Sequence, residues 1–293
     1  FNINNESFKV RLGLTADVAF NQGKTLSFSP DVRMNWEFAE SVFLFSDIVG
    51  GKTLNTYARL SESNIYVNPS LLPKDSHTPI DATIGLRSNY FSGFWFEVFG
   101  GYKMIDDDAL GYRLLDGNAF PAEDRYLLSR NAISYQNMKT SCWNAGVAMK
   151  YKYEDWLDVA VKLKKNGWDL RKGDGDVFDR PDFEANAGVT FKLANGLAFN
   201  LDYYLATGRK YKDVFTLTPF DDNASTIDPI PFTGTKIGSL KDIHSLSLGA
   251  NYEINKTVNV FVNLNNLMFQ KYDLWHGMAA QGFNAMGGVG LKF

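Results

Sequence analysis

The sequence predicts an all-β chain: a transmembrane antiparallel up-and-down β-barrel of about 12 strands. Three observations carry this. Apolar and polar residues alternate strictly from Phe8 to Phe20, the signature of a strand with one oily and one wet face. That pattern recurs along the whole chain at a length that suits a tilted bilayer-spanning strand, about 9–11 residues. From the second turn onward, short and long connections alternate strictly.

Taken in order, the candidate strands cover 8–20, 25–38, 41–49, 80–90, 94–105, 134–153, 156–164, 182–192, 197–207, 243–254, 258–265 and 283–293. In the first, Phe8, Val10, Leu12, Leu14, Ala16 and Val18 oppose Lys9, Arg11, Thr15 and Asp17. The second sets Leu26, Phe28, Val32, Met34, Trp36 and Phe38 against Ser27, Ser29, Asp31, Arg33, Asn35 and Glu37. Pro30 falls on its oily face, where the missing N–H predicts a bulge or a strand end.

The gaps 21–24, 39–40, 91–93, 154–155, 193–196 and 255–257 read as hairpin turns. The gaps 50–79, 106–133, 165–181, 208–242 and 266–282 are long. In an up-and-down barrel this places every long loop at one end, with only the first hairpin as a short turn there. Outer-membrane barrels combine short periplasmic turns with long external loops. Trp36, Phe38, Phe43, Tyr90, Phe91, Phe94, Tyr151, Tyr153, Trp156, Phe191, Phe199, Tyr252 and Phe293 lie near the short turns or the C-terminus, where an interfacial aromatic girdle belongs.

The chain has 293 residues, 45% of them hydrophobic and 15% aromatic, and a formal net charge of −3. Mean hydropathy is −0.23, and no run approaches the ~20 apolar residues of a membrane helix. A barrel conceals its membrane face in this way, because every second residue points to the lumen. The charge balance gives no footprint for nucleic acid. The single cysteine, Cys142, excludes an intramolecular disulfide and a cysteine metal cluster. The chain opens at Phe1 without a signal peptide, as in a mature or truncated product.

The wet faces carry both signs of charge. Arg11, Asp31, Arg33, Arg87, Glu97, Lys150, Asp158, Lys162 and Glu184 are the candidate lumen-lining residues. His77, His244 and His276 are dispersed, without metal-ligand spacing, and read as loop or interface residues. Asp106, Asp107 and Asp108 read as a solvated charge run opening a loop. Asp174-Gly175-Asp176 lacks the remaining ligands of a calcium loop. No nucleophile elbow of the Gly-x-Ser-x-Gly type is present. The expectation is a protein that is not an enzyme and uses no cofactor.

The C-terminal stretch is the most specific. It reads Asn265-Asn266-Leu267-Met268-Phe269-Gln270-Lys271-Tyr272 and closes on Gly287-Gly288-Val289-Gly290-Leu291-Lys292-Phe293. It resembles the end of TonB-dependent outer-membrane receptors, in the version found in Bacteroidetes-type bacteria. Asn68-Pro69-Ser70-Leu71-Leu72 is similar to an Asn-Pro-x-Leu loop of the same barrels. The chain departs from that family in lacking a plug domain, its energy-coupling box and the usual Pro-Gly-Arg, replaced by Ala280-Gln281-Gly282. The resemblance implies a single outer-membrane barrel domain over 1–293, either the C-terminal part of a larger receptor barrel or a small relative without a plug. It implies the cell outer membrane as location and lipid bilayer around the wall. Val289, Leu291 and Phe293 would be the insertion signal read by the outer-membrane assembly machinery. The implied function is solute passage, or binding of a small-molecule or protein ligand at the external loops. The alternative is a structural or assembly barrel with a filled lumen, whose loops dock a partner protein.

Overall fold

The computed structural model describes the chain apart from residues 6, 21, 69, 71, 118–127, 194, 218–231 and 293. In chain order its elements are β1 (Asn2–Asn4), β2 (Phe8–Val18), β3 (Leu26–Ala39), β4 (Val42–Thr53), α1 (Tyr57–Ser63), β5 (Ser76–Ser88), β6 (Phe94–Gly117), β7 (Leu128–Tyr153) and β8 (Leu157–Leu170). There follow β9 (Phe183–Lys192), β10 (Leu197–Thr207), β11 (Lys210–Leu217), β12 (Phe232–Ser239), β13 (Ile243–Glu253), β14 (Val258–Asn265), β15 (Asp273–Trp275), β16 (Met278–Ala279) and β17 (Asn284–Leu291).

The wall is one antiparallel sheet in which each strand pairs with its sequence neighbour. The order is β1 to β10, then β13, β14 and β17. Its long strands, β2–β10 with β13, β14 and β17, are those the alternation marks. The expected closure into a barrel of about 12 strands is not seen. Among the described residues β17 pairs only β14 and β1 pairs only β2, so the sheet is open at both edges. Pro30 neither bulges nor ends its strand. It sits opposite Leu14 in an unbroken β2–β3 ladder, and β3–β4 pairing begins one residue later, at Asp31. No β4 partner is asked of its nitrogen.

The register sorts the side chains into two faces. Leu14, Ile84 and Val289 on the oily face are 71%, 56% and 63% exposed, so this face has no protein cover. Rings near the short turns form a chain on it: Tyr151 to Tyr153 at 6.4 Å, Tyr153 to Trp156 at 5.5 Å, and Trp156 to Phe191 at 6.1 Å between centroids. Packing gathers instead on the polar face at the long-loop end. There Leu110, Val177 and Phe178 form a buried cluster with Tyr112, Met138, Trp168 and Leu170 around it.

Register shifts at Val49/Gly51, His77/Ile80 and Ile105/Asp108 cross β4, β5 and β6. Bulges bend strands and end pairing. Beyond these, β6 and β7 continue as an overhanging hairpin. Asp106–Asp108 is therefore not the start of a solvated loop. It lies within β6, and Asp108 is buried at 4% exposure, because Arg180 and Thr140 supply the partners a buried carboxylate requires.

Candidate functional site

The long-loop end carries the molecule's densest set of polar side chains. Pairing of β5 with β6 stops at His77 opposite Asp106, which leaves that edge of β6 free further out. The connection after β10 fills it. Strand β11 leaves the far side of the sheet, crosses the end, and pairs in parallel with β6, Asp213–Leu217 against Arg113–Gly117. β12 returns antiparallel to β11. Sequence reading treated 208–242 as one long gap. It missed this hairpin because β11 alternates weakly and its partner lies 100 residues away.

One ionic cluster anchors the crossing. The Arg113 guanidinium donates to both carboxylate oxygens of Asp213, Nε to Oδ1 at 3.1 Å and Nη2 to Oδ2 at 2.9 Å. Asp213 is only 5% exposed, so the bidentate pair works at reduced screening. His276 Nδ1 stands 2.9 Å from Arg113 Nη2 and 2.9 Å from Asp213 Oδ2. It accepts from the arginine when bare and donates to the carboxylate when protonated. The Tyr211 ring stacks on His276 with centroids 3.6 Å apart. Gly277, at φ +76°, passes under Arg113, where a Cβ would collide with Nη1. Lys212 donates to Gln136 Oε1 at 2.6 Å and lies over the Phe178 ring. Burial pushes its ammonium pKa below the ordinary value.

The connection between β8 and β9 forms the floor. Arg171 donates to Thr140 O at 2.9 Å and Ile105 O at 2.8 Å and pairs with Asp106. Phe178 is 1% exposed. Asp179 Oδ2 accepts the Gly111 N–H at 3.1 Å, and Arg180 Nη2 donates to Asp108 Oδ1 at 3.1 Å. A cavity of about 710 Å³ opens here toward the polar face, lined by Arg59, Lys103, Asp108, Tyr135, Arg180 and Trp275. α1 lines it on one side, its N-terminus capped by Thr56 accepting the Arg59 N–H at 3.4 Å. A smaller cavity of about 60 Å³ lies beneath β11.

The register puts all nine candidate lumen residues on one face of the sheet, but it does not gather them into one site. Asp31 binds Arg11 at 2.6 Å and Arg33 at 3.2 Å. Arg87 donates to Asn35 at 2.7 Å and covers the Phe45 ring. Asp158 takes Lys192 at 3.0 Å, and Glu184 accepts the Tyr204 hydroxyl at 3.3 Å. Glu97, Lys150 and Lys162 rim a shallow hollow of about 560 Å³ together with Trp95, Asp202 and Tyr204. Lys150 sits 5.4 Å from the Trp95 ring centre and Lys162 5.9 Å from that of Phe99. Val289 and Leu291 of β17 face Val260 and Val258 on the oily side. Phe293 lies outside the described residues. His77 and His244 are strand residues, bonded to Ser29 Oγ at 3.1 Å and to Tyr203 Oη at 2.8 Å. Among the described residues no group of three His, Cys, Asp or Glu side chains could hold a metal ion. The vestibule residues Arg113, Asp179, Arg180 and Asp213 escaped sequence reading, since lone charges in long gaps carry no periodic signal.

No family model matches the sequence, and no curated protein matches it. Solved structures do. The pyoverdine outer-membrane receptor FpvA of Pseudomonas aeruginosa PAO1 superposes with a TM-score of 0.62 at 12% identity, over 100% of this chain and 41% of its own. The siderophore receptor PirA of Acinetobacter baumannii gives 0.64 at 10% identity, over 100% and 44%. The copper transporter OprC gives 0.60 at 14% identity, over 99% and 47%. The chain thus spans less than half the length of each. The fold of this chain is an antiparallel sheet that superposes on part of the barrel wall in these structures.

Proposed function

We propose that this chain is a section of the wall of an outer-membrane receptor barrel of the TonB-dependent kind, and that its long-loop end is the external mouth, where a small solute is bound before passage. The observation that carries this is the superposition of the entire sheet on part of larger receptor walls, joined to the C-terminal resemblance. The oily face then meets lipid, and the nine polar-face residues line the lumen. Further strands complete the barrel at the edges of β1–β2 and β17. The assembly machinery reads the final strand through Val289, Leu291 and Phe293. The cavity bounded by Arg59, Arg180 and Trp275 offers an aromatic surface beside cationic donors, the lining expected for a polar organic ligand.

Cell fractionation should recover the protein with the outer membrane. In detergent it should give a β-type circular dichroism spectrum and heat-dependent gel mobility. Recovery as a detergent-free monomer would overturn the membrane reading. A strain carrying Trp275→Ala should lose at least about tenfold in capture of whichever solute the wild type accumulates, at unchanged protein level. The second reading, a scaffold whose loops dock a partner protein, draws on the dense ion pairing among the loops. It expects that variant to leave solute capture unchanged.

A further inference from the structure

The connection between β8 and β9 divides the vestibule. Asp179 and Arg180 line both the 710 Å³ cavity and the 60 Å³ cavity, so this short segment is their common wall. Three sets of contacts hold it in place. Val177 and Phe178 insert against Leu110. The Asp179 N–H donates to Lys210 O at 2.9 Å. Arg180 serves two carboxylates, Asp108 Oδ1 at 3.1 Å and Asp179 Oδ2 at 3.8 Å. The Asp108 and Asp179 side chains are 6% and 16% exposed, so their mutual repulsion is weakly screened.

The approach to this wall is built to move. Gly173 and Gly175 sit at φ +93° and +126°, with nothing within 4 Å of where a Cβ would stand. Residues 172–176 are exposed. Asp179 itself has φ +62°, a conformation a non-glycine residue keeps only where its contacts insist.

We propose that residues 177–180 are a proton-dependent latch: closed while Asp179, beside Asp108 and Arg180, holds a proton, and released as that proton leaves, joining the two cavities. The charged and titratable groups that line the two cavities with the pair come from every neighbouring element: Lys103, the Gly111 N–H, Tyr112 and Arg113 of β6, Tyr135 of β7, Arg209 before β11 with Lys210, Tyr211 and Lys212 of β11, His276 of the β15–β16 turn, and Arg59 and Glu62 of α1. Burial pushes the Asp179 carboxyl up to about 7 and Asp108 adds to the rise, while Arg180, the Gly111 N–H and Arg209 oppose it. The sign follows. The latched carboxyl keeps its proton to about pH 7, whereas a released one, near the ordinary 3.8, gives it up. Opening is therefore favoured about tenfold per pH unit between about pH 5 and 7, and levels off above. The latch does not rest on the ligand reading: it concerns this loop whether or not a solute binds.

Hydrogen–deuterium exchange of the full chain in detergent, followed from pH 5 to 8 and corrected for intrinsic exchange, tests it. Amides of 177–180, Asp182 and Gly111 should open about tenfold faster per pH unit up to about pH 7, while those of β8 stay level. Asp179→Asn should flatten the profile. Asp108→Asn, which keeps Asp179, should move the midpoint to lower pH. His276→Gln should retain the slope. A flat wild-type profile, a slope surviving in Asp179→Asn, an unmoved midpoint in Asp108→Asn, or a slope lost in His276→Gln would each overturn the latch.

Discussion

Leu14 and Thr15 are adjacent in the chain and face opposite sides of β2. Leu14, 71% exposed, stands on the uncovered oily face, and Thr15 opposes Ser29 on the polar one. An arginine near the bilayer midplane costs about 2–4 kcal/mol on the lipid side of such barrels. Leu14→Arg should therefore lower the folding free energy by about that amount, and Thr15→Arg by much less. Equilibrium unfolding in lipid vesicles measures both, and equal values would contradict the register. Phenylalanines on the polar face have a different explanation, packing over glycines of the next strand. A Cβ on Gly85 would stand 2.7 Å from the Phe45 ring, and one on Gly288 the same distance from Phe261. Such rings cover backbone that a bare glycine would expose. Gly85→Val should cost about 1–3 kcal/mol through overpacking. An unchanged unfolding midpoint would show that both the Phe45 ring and the Val98 carbonyl, which lies against that Cβ, can give way.

At the scale of elements, the crossing of β11 onto β6 is the least local feature of the molecule. Its ladder covers five residues of β6, so the Arg113–Asp213–His276 cluster must supply much of its hold. Removing one partner of a buried pair costs about 3–5 kcal/mol, largely because the other charge stays behind unpaired. Asp213→Ala should then free the β11–β12 hairpin while the wall remains intact. Limited proteolysis should cut the variant within 208–242 and leave β6–β8 whole. Resistance equal to that of the wild type would assign the hold to the strand pairing instead. The loop floor depends on side chains in the same way: Arg171 reaches three residues on two strands. Among the described residues, the β8–β9 connection and the β11–β12 crossing are therefore packed structure.

On the scale of the whole molecule, the open edges matter most. An unpaired edge strand presents a row of free backbone groups and invites association. If further strands complete the barrel, the outward amides of β2 and β17 should be as protected from exchange in the intact protein as those of β7. Fast exchange at both edges would mean that the sheet ends where this chain ends. The polar face also bears on conduction. Among the described residues its ion pairs are short-range along the sheet, as in Arg11–Asp31 at 2.6 Å and Lys103–Asp81 at 3.2 Å. On the proposed reading of this end as a mouth, its narrowing comes from the loops, above all the β11–β12 crossing.

The sequence by itself determined the wall. Period-2 alternation over a dozen segments identified its strands, because each residue's face follows from local geometry alone. The turn residues identified the hairpins, and together these put Arg11, Asp31, Arg33, Arg87, Glu97, Lys150, Asp158, Lys162 and Glu184 on one side. Tertiary structure decided what alternation cannot encode. Whether the sheet closes depends on small curvatures summed over every strand. Whether Asp108 is solvated depends on Arg180, which arrives from a loop 72 residues away. That β11 pairs with β6 as well as with its sequence neighbour β12 depends on a free edge of β6 left where β5 pairing stops. Long-range contacts of this kind leave no periodic trace, and the vestibule is made almost entirely of them.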